Sequence, residues 1–273
     1  CDYDFIRRAS SAFISKQFPI PTLRSLRGST LGDGIVTLQG AKPEGEEKMR
    51  IGLLIAIQRE LAAFLKNGEE ITEETVAGKT VYRTRMDGHD VCAIQSGCGE
   101  IDAAAATMLL IVKYGCEIVM NFGVAGALEE ELRVEDLFVA ESVWHYDLDL
   151  TPFTGCDKIG QYEEYPDEFI PLDQELTALV SRRIPGIRRV KVASGDKFVE
   201  DRNEKLRLRA AGCGICEMEL AGIARTCERN GVRCLSIKCI SDPFDGDGGD
   251  FNTNVKKSAE KAFAAIREVL RSL

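Results

Sequence analysis

From Met49 onward, short apolar runs alternate with stretches whose apolar residues recur at helical spacing. That alternation restricts the chain to an α/β architecture. Strands are expected over 49–56, 80–86, 90–95, 117–121, 136–143, 189–194, 215–218 and 233–240. Helices are expected over 58–66, 101–114, 172–183, 202–211, 220–230 and 255–270. The last puts Val255, Ala259, Ala262, Phe263, Ile266 and Leu270 on one face. Asp87-Gly88 is a hairpin turn signal, so part of the sheet is antiparallel. The pattern predicts a single three-layer α/β/α domain with a mixed central sheet over 49–273. Between 145 and 171 the periodicity dissolves into a polar segment with aromatics, a length that marks a functional or disordered loop.

Residues 1–48 read differently. They show no sustained period, carry scattered Ser, Gly, Pro and charges, and lack the apolar core of a signal peptide. The first methionine is Met49, directly before the first strand. The expectation is a disordered leader or upstream extension over 1–48, whose deletion leaves folding and activity intact.

The net charge of -9 disfavours nucleic acid and anionic membrane as partners, but not a small ligand in a cleft with its own local field. No apolar run reaches the length of a membrane span. Ten cysteines invite a disulfide or metal reading. Cys92, Cys98, Cys116, Cys234 and Cys239 lie in or beside apolar segments, where a free thiol behaves as a small hydrophobe. Cys213-Gly-Ile-Cys216 has no second pair, and His89 and His145 are the only histidines. A zinc site is therefore not expected, and the thiols fit a reducing cytoplasm.

Three acids stand where buried strands give way to loops or helix starts: Glu60, Glu219 and Asp242. Ligands of α/β sheets bind beyond the carboxyl ends of strands, so these positions are candidates for acid-assisted bond cleavage. Each alone is more often a surface or capping residue, since a first helical turn favours an anion. Gly97-x-Gly99 lacks the third glycine of a dinucleotide fingerprint, and Gly123-Val-Ala-Gly126 permits close approach without naming a ligand. Neither a Gly-x-Ser-x-Gly elbow nor a Walker A loop is present, which disfavours serine acyl transfer and ATP hydrolysis.

Taken together, Ile51-Gly-Leu-Leu-Ile-Ala-Ile-Gln-Arg-Glu60, Ser96-Gly-Cys-Gly99, Asn121-Phe-Gly-Val-Ala-Gly126, Ser194-Gly-Asp-Lys-Phe-Val199, Glu217-Met-Glu219 and Ile240-Ser-Asp242 occur in order. This succession resembles the 5'-methylthioadenosine/S-adenosylhomocysteine nucleosidases of the nucleoside phosphorylase superfamily, over about Met49 to Leu270. The resemblance implies a nucleoside phosphorylase-like fold and hydrolysis of the N-glycosidic bond of an adenine nucleoside. It implies no cofactor, no metal, and a homodimer. By resemblance, Asp242 protonates adenine N7 and Glu60 activates the attacking water. Glu219 accepts from the ribose hydroxyls, Met218 packs beneath the sugar, Phe198 stacks on adenine and the Val199 backbone reads its edge. Ser96 and Ser241 support by hydrogen bonding. Phe251 and Ile57 line the 5' side, and Leu150 and Phe153 occupy the loop that completes the 5' pocket of a neighbouring subunit.

The chain departs from the family pattern in places. Lys238 stands where many members carry Arg, which removes the guanidinium fork. Gln58 and Arg59 replace further acids before Glu60, and the acidic, glycine-rich segment 243–250 reads as a lid or a solvated turn. A purine nucleoside phosphorylase and a non-catalytic nucleoside-binding protein remain as alternatives. Glu100 and Asp102 after the glycine turn argue against a phosphate site, because acids there repel phosphate. A nicotinamide-dependent reductase would need the glycine turns to hold a dinucleotide.

Overall fold

The computed structural model describes residues 49–152, 155–246 and 248–273. The expectation for residues 1–48 therefore lies outside the described residues. The chain runs β1 (Arg50–Ile55), α1 (Gln58–Leu65), β2 (Glu69–Val76), β3 (Lys79–Met86), β4 (His89–Gln95), α2 (Glu100–Val112) and β5 (Ile118–Ala127). It continues β6 (Leu137–His145), β7 (Phe169–Pro171), α3 (Gln174–Arg183), β8 (Arg188–Ser194), α4 (Arg202–Ala210), β9 (Ile215–Glu217), α5 (Leu220–Arg229), β10 (Arg233–Asp242) and α6 (Gly248–Leu270).

All ten strands share one mixed sheet in the order β10-β6-β8-β9-β5-β1-β4-β3-β2, with β7 on β6. β10 also pairs with β5, so five strands close on themselves while β1 to β4 extend as an open wing. The sheet is thus partly barrel-like rather than wholly open. β1 alternates between two cores. Ile51, Leu53 and Ile55 pack with Phe64 of α1 and Phe263 and Ile266 of α6. Leu54 faces Ala103, Ala106 and Leu110 of α2 and Ile223 of α5. Apolar residues on both faces of a strand need a layer of helices on each, which is the three-layer arrangement.

β7 lies within the segment expected to be loop, α6 begins at Gly248 rather than at 255, and β2, β5 and β10 differ from the sequence reading for physical reasons. β2 was not expected: Glu69-Glu-Ile-Thr-Glu-Glu-Thr-Val76 is mostly polar because it is an edge strand with little to bury. Its link to β3 is the tight turn Ala77-Gly78, both at positive φ. β5 does not stop near Asn121 but runs through both glycines to Ala127. β10 continues to Asp242 with a register shift between Ile240 and Asp242, where Ser241 is the extra residue. Bulges of this kind bend a strand and re-aim its side chains. The first part of segment 243–250 is tied down. Phe244 is buried, its carbonyl accepts from Lys205 Nζ at 2.7 Å, and its ring lies 4.8 Å from the Arg202 guanidinium. Among the described residues, no helix is long and apolar enough to cross a membrane.

Candidate active site

The end of β1 turns directly into α1, with Ile57 at the N-cap and Glu60 in the first turn. The Glu60 side chain folds back, so Oε2 accepts from the N–H groups of Ala56 and Ile57, both at 3.2 Å. Its Oε1 accepts from Val124 N on β5 at 2.9 Å. One carboxylate therefore joins the start of α1 to the interior of β5. Burial pushes the Glu60 carboxyl up, opposed by the Lys238 ammonium and those three N–H groups.

Asp242 is set by the bulge that ends β10, and its Oδ1 accepts from Ser241 Oγ at 2.8 Å. Glu219 stands at the N-cap position of α5 without capping it through its side chain, and its Oε1 accepts from Gly99 N at 3.2 Å. That bond ties the glycine turn after β4 to the Glu-Met-Glu segment. Gly99 itself has φ 100°, a conformation that favours glycine.

The two β5 glycines now have a stated purpose. A Cβ on Gly123 would collide with Glu60 Oε1. One on Gly126 would lie 2.6 Å from Asp242 Oδ2 and 3.1 Å from Cys216 Sγ. Glycine inside a strand marks such close approach. The glycines are three residues apart, about 10 Å of strand and an odd separation, so Glu60 and Asp242 approach β5 from opposite faces.

Glu217 was quoted in the sequence motif without a role, and it organises the floor. Its carboxylate accepts from Leu220 N at 3.1 Å and Glu219 N at 3.2 Å, capping α5. It also accepts from Lys238 Nζ at 2.8 Å, with both side chains almost wholly buried. Burial works against the Lys238 charge, but Glu217, Glu219 and Glu60 outweigh it and hold the ammonium protonated. Glu219 is pushed up to about 8 by burial and by the neighbouring Glu217. Glu100 is likewise pushed up to about 8 by burial and by Glu217.

These groups surround a cavity of about 440 Å³, within the range that holds a nucleoside-sized ligand. Of the residues singled out from sequence, Ile57, Glu60, Phe198, Val199, Met218, Glu219, Ser241, Asp242 and Phe251 all line it. Phe198 and Phe251 meet edge to face with centroids 5.5 Å apart. Ser96 does not line it: its hydroxyl donates to the Gly97 carbonyl at 2.7 Å, so it shapes the turn instead. Leu150 lies after β6, away from this cavity's lining, and Phe153 lies outside the described residues.

The expected repulsion of phosphate by Glu100 and Asp102 is not supported. Glu100 turns into the α2–α5 contact, accepting from Ser194 Oγ and from Gly222 N at 2.5 Å. Asp102 pairs with Lys79 at 2.6 Å. The carboxyl groups that line the cavity are those of Glu60, Glu217, Glu219 and Asp242. Sequence reasoning also missed Cys98, Cys216 and Asn252 in the lining. Arg59, noted only as a departure, lines it too and donates to Asn252 Oδ1 at 2.9 Å.

The chain matches the family described as the phosphorylase superfamily over residues 50–271. It is 32% identical over 233 residues to the 5'-methylthioadenosine/S-adenosylhomocysteine nucleosidase of Shewanella halifaxensis, covering 82% of this chain and 100% of the relative. Among solved structures it resembles the nucleosidase of Colwellia psychrerythraea in complex with adenine, at 27% identity and a TM-score of 0.77, over 82% of this chain and 95% of that one. It is similar also to the native futalosine hydrolase of Helicobacter pylori, at 26% identity and a TM-score of 0.76, over 82% and 98% of the two chains.

Proposed function

The chain belongs to the phosphorylase superfamily and, within it, to the 5'-methylthioadenosine/S-adenosylhomocysteine nucleosidases, and from that premise we propose how its cavity works. The protein is an N-glycosyl hydrolase. It cleaves an adenine noucleoside such as 5'-methylthioadenosine or S-adenosylhomocysteine into adenine and a ribose derivative.

The observation that carries the site assignment is the convergence of Glu60, Glu219 and Asp242, far apart in sequence, on one cavity. Cleavage leaves positive charge on the sugar and negative charge on the departing base. Asp242, oriented by Ser241, donates a proton to adenine N7 and makes the base a neutral leaving group. Glu60 has about four lone-pair sites, of which backbone N–H groups occupy three. The remaining one accepts from the attacking water and takes its proton. Glu219 accepts from the ribose hydroxyls, and the anionic floor stabilises the oxocarbenium-like transition state. Lys238, paired with Glu217, keeps that floor from repelling itself. Met218 packs beneath the sugar, Phe198 stacks on adenine, the Val199 backbone reads its edge, and Ile57 with Phe251 lines the 5' side.

Hydrolysis is favoured over phosphorolysis by the curated relatives, which are named nucleosidases. A homodimer fits a stripe on α2: Ile101 is 82% and Val112 71% exposed, with Ala105 and Met108 exposed between them. The 101, 105, 108, 112 spacing is that of a helix–helix seam. A cytoplasmic setting is in keeping with described cysteines that form no disulfide. The direct test is a panel of purine nucleosides assayed chromatographically for free base, with and without phosphate. Adenine release independent of phosphate is expected; an absolute need for phosphate would make the enzyme a phosphorylase.

A further inference from the structure

The mechanism leaves a second chemical centre unused. On the open wing of the sheet, Cys92 of β4 sits in register between Arg83 of β3 and Gly52 of β1. Directly paired residues of neighbouring strands project their side chains to the same face. Gly52 has no side chain, and Cys116, in the turn between α2 and β5, fills that gap: a Cβ on Gly52 would lie 3.3 Å from Cys116 Sγ. Cys92 and Cys116 belong to the same buried cluster. Two cysteines distant in sequence are thus brought into contact by the fold.

Their surroundings suit a reactive thiolate. A polar groove of about 920 Å³ reaches Cys92, whose side chain is largely buried, and Arg50, Arg83 and Tyr114 line it too. Lys113 and Arg85 on the same groove are paired with Glu74 and Asp90. The neighbouring Cys116 thiol, then the Arg83 and Arg50 guanidiniums, lower the Cys92 thiol to about 7 against the effect of burial, and Cys116 is pushed up by Cys92 and by burial. Among the described residues, Cys98 and the Cys227–Cys234 pair lack this combination. Cys98 is exposed, but burial together with Glu219, Glu60 and Asp102 pushes it up. Cys227 touches Cys234, but Cys227 is raised by that thiol and by burial, with no cation beside it.

We propose that Cys92 and Cys116 form a hydroperoxide-sensitive site, separate from the nucleoside cavity, that closes to a disulfide. Cys92 thiolate attacks one peroxide oxygen and the O–O bond breaks. The departing hydroxide or alkoxide takes a proton, leaving Cys92 as a sulfenic acid. Cys116 loses its proton as its sulfur attacks Cys92, and hydroxide leaves as water. Two thiols are oxidised to one disulfide, and one hydroperoxide is reduced to water and water or alcohol. Low thiolate pKa, access and an adjacent resolving thiol are the features of redox-sensitive cysteines.

The test is limited hydrogen peroxide on the folded full chain, followed by peptide mapping without reductant. A Cys92–Cys116 cross-link is expected before any oxidation of Cys98 or of the Cys227–Cys234 pair, although Cys98 is the exposed thiol. Cys116→Ser should leave a sulfenic acid on Cys92 that a 1,3-dione traps. Arg83→Gln, a change on the exposed face of β3, should slow cross-linking several-fold without unfolding the protein. Oxidation of Cys98 first, no 92–116 link, or an Arg83→Gln rate equal to the parent would overturn the proposal.

Discussion

Asp242 shows how much a single position can carry. It combines a bulge, a hydroxyl partner in Ser241 and the space left by Gly126. Asp242→Asn keeps the shape and removes the proton, so kcat should fall by about 10²–10⁴ while nucleoside affinity, read by calorimetry, changes little. An unchanged kcat would remove Asp242 from the chemistry. Lys238 plays a structural part with electrostatic consequences. Lys238→Met would leave Glu217, Glu219 and Glu60 without their shared cation, and breaking a buried pair from one side costs about 3–5 kcal/mol. Urea unfolding should show a loss of that order, whereas a parental midpoint would mean the carboxylates are protonated throughout. These acids were legible in the sequence because each ends a strand pattern. The glycines were legible only as permissive residues, since what approaches them comes from 60 and 242, and no local pattern links such distant positions.

At the scale of elements, the strands that bury both faces could be read directly, as β1 shows with Ile51 to Ile55. β2 could not, because an edge strand of Glu and Thr carries no hydrophobic period. Nor could the β5–β10 pairing that closes part of the sheet, since register depends on partners rather than on local pattern. Glu217 escaped notice for a related reason: its partners are the start of α5 and a lysine on β10. α2 offers a prediction of its own. Its row of Ile101, Ala105, Met108 and Val112 faces away from the core, and an apolar helix face of that length is stable when covered. Ile101→Glu should shift the sedimentation coefficient from dimer to monomer. A parental protein that is already monomeric at micromolar concentration would place the stripe outside any self-association.

For the whole molecule, the buried acids make stability depend on pH in a defined direction. Glu100 and Glu219 are both pushed up to about 8 from an ordinary 4.5. The native state then holds protons that the unfolded chain has released. Their contribution is fully present below 4.5, declines as pH rises, and is lost above about 8. The Tm should therefore fall between about pH 4.5 and pH 8, and Glu100→Gln should flatten that fall. A Tm that rises over the same interval would mean that these carboxyls are ionised in the fold. The central claim is that water, not phosphate, attacks the sugar while the base leaves protonated. It is tested most directly by incubating the full chain with 5'-methylthioadenosine in isotopically labelled, phosphate-free water and analysing the sugar by mass spectrometry. The account predicts free adenine and a methylthioribose carrying one solvent oxygen at its anomeric carbon; an unlabelled sugar, or no cleavage until phosphate is added, would contradict it.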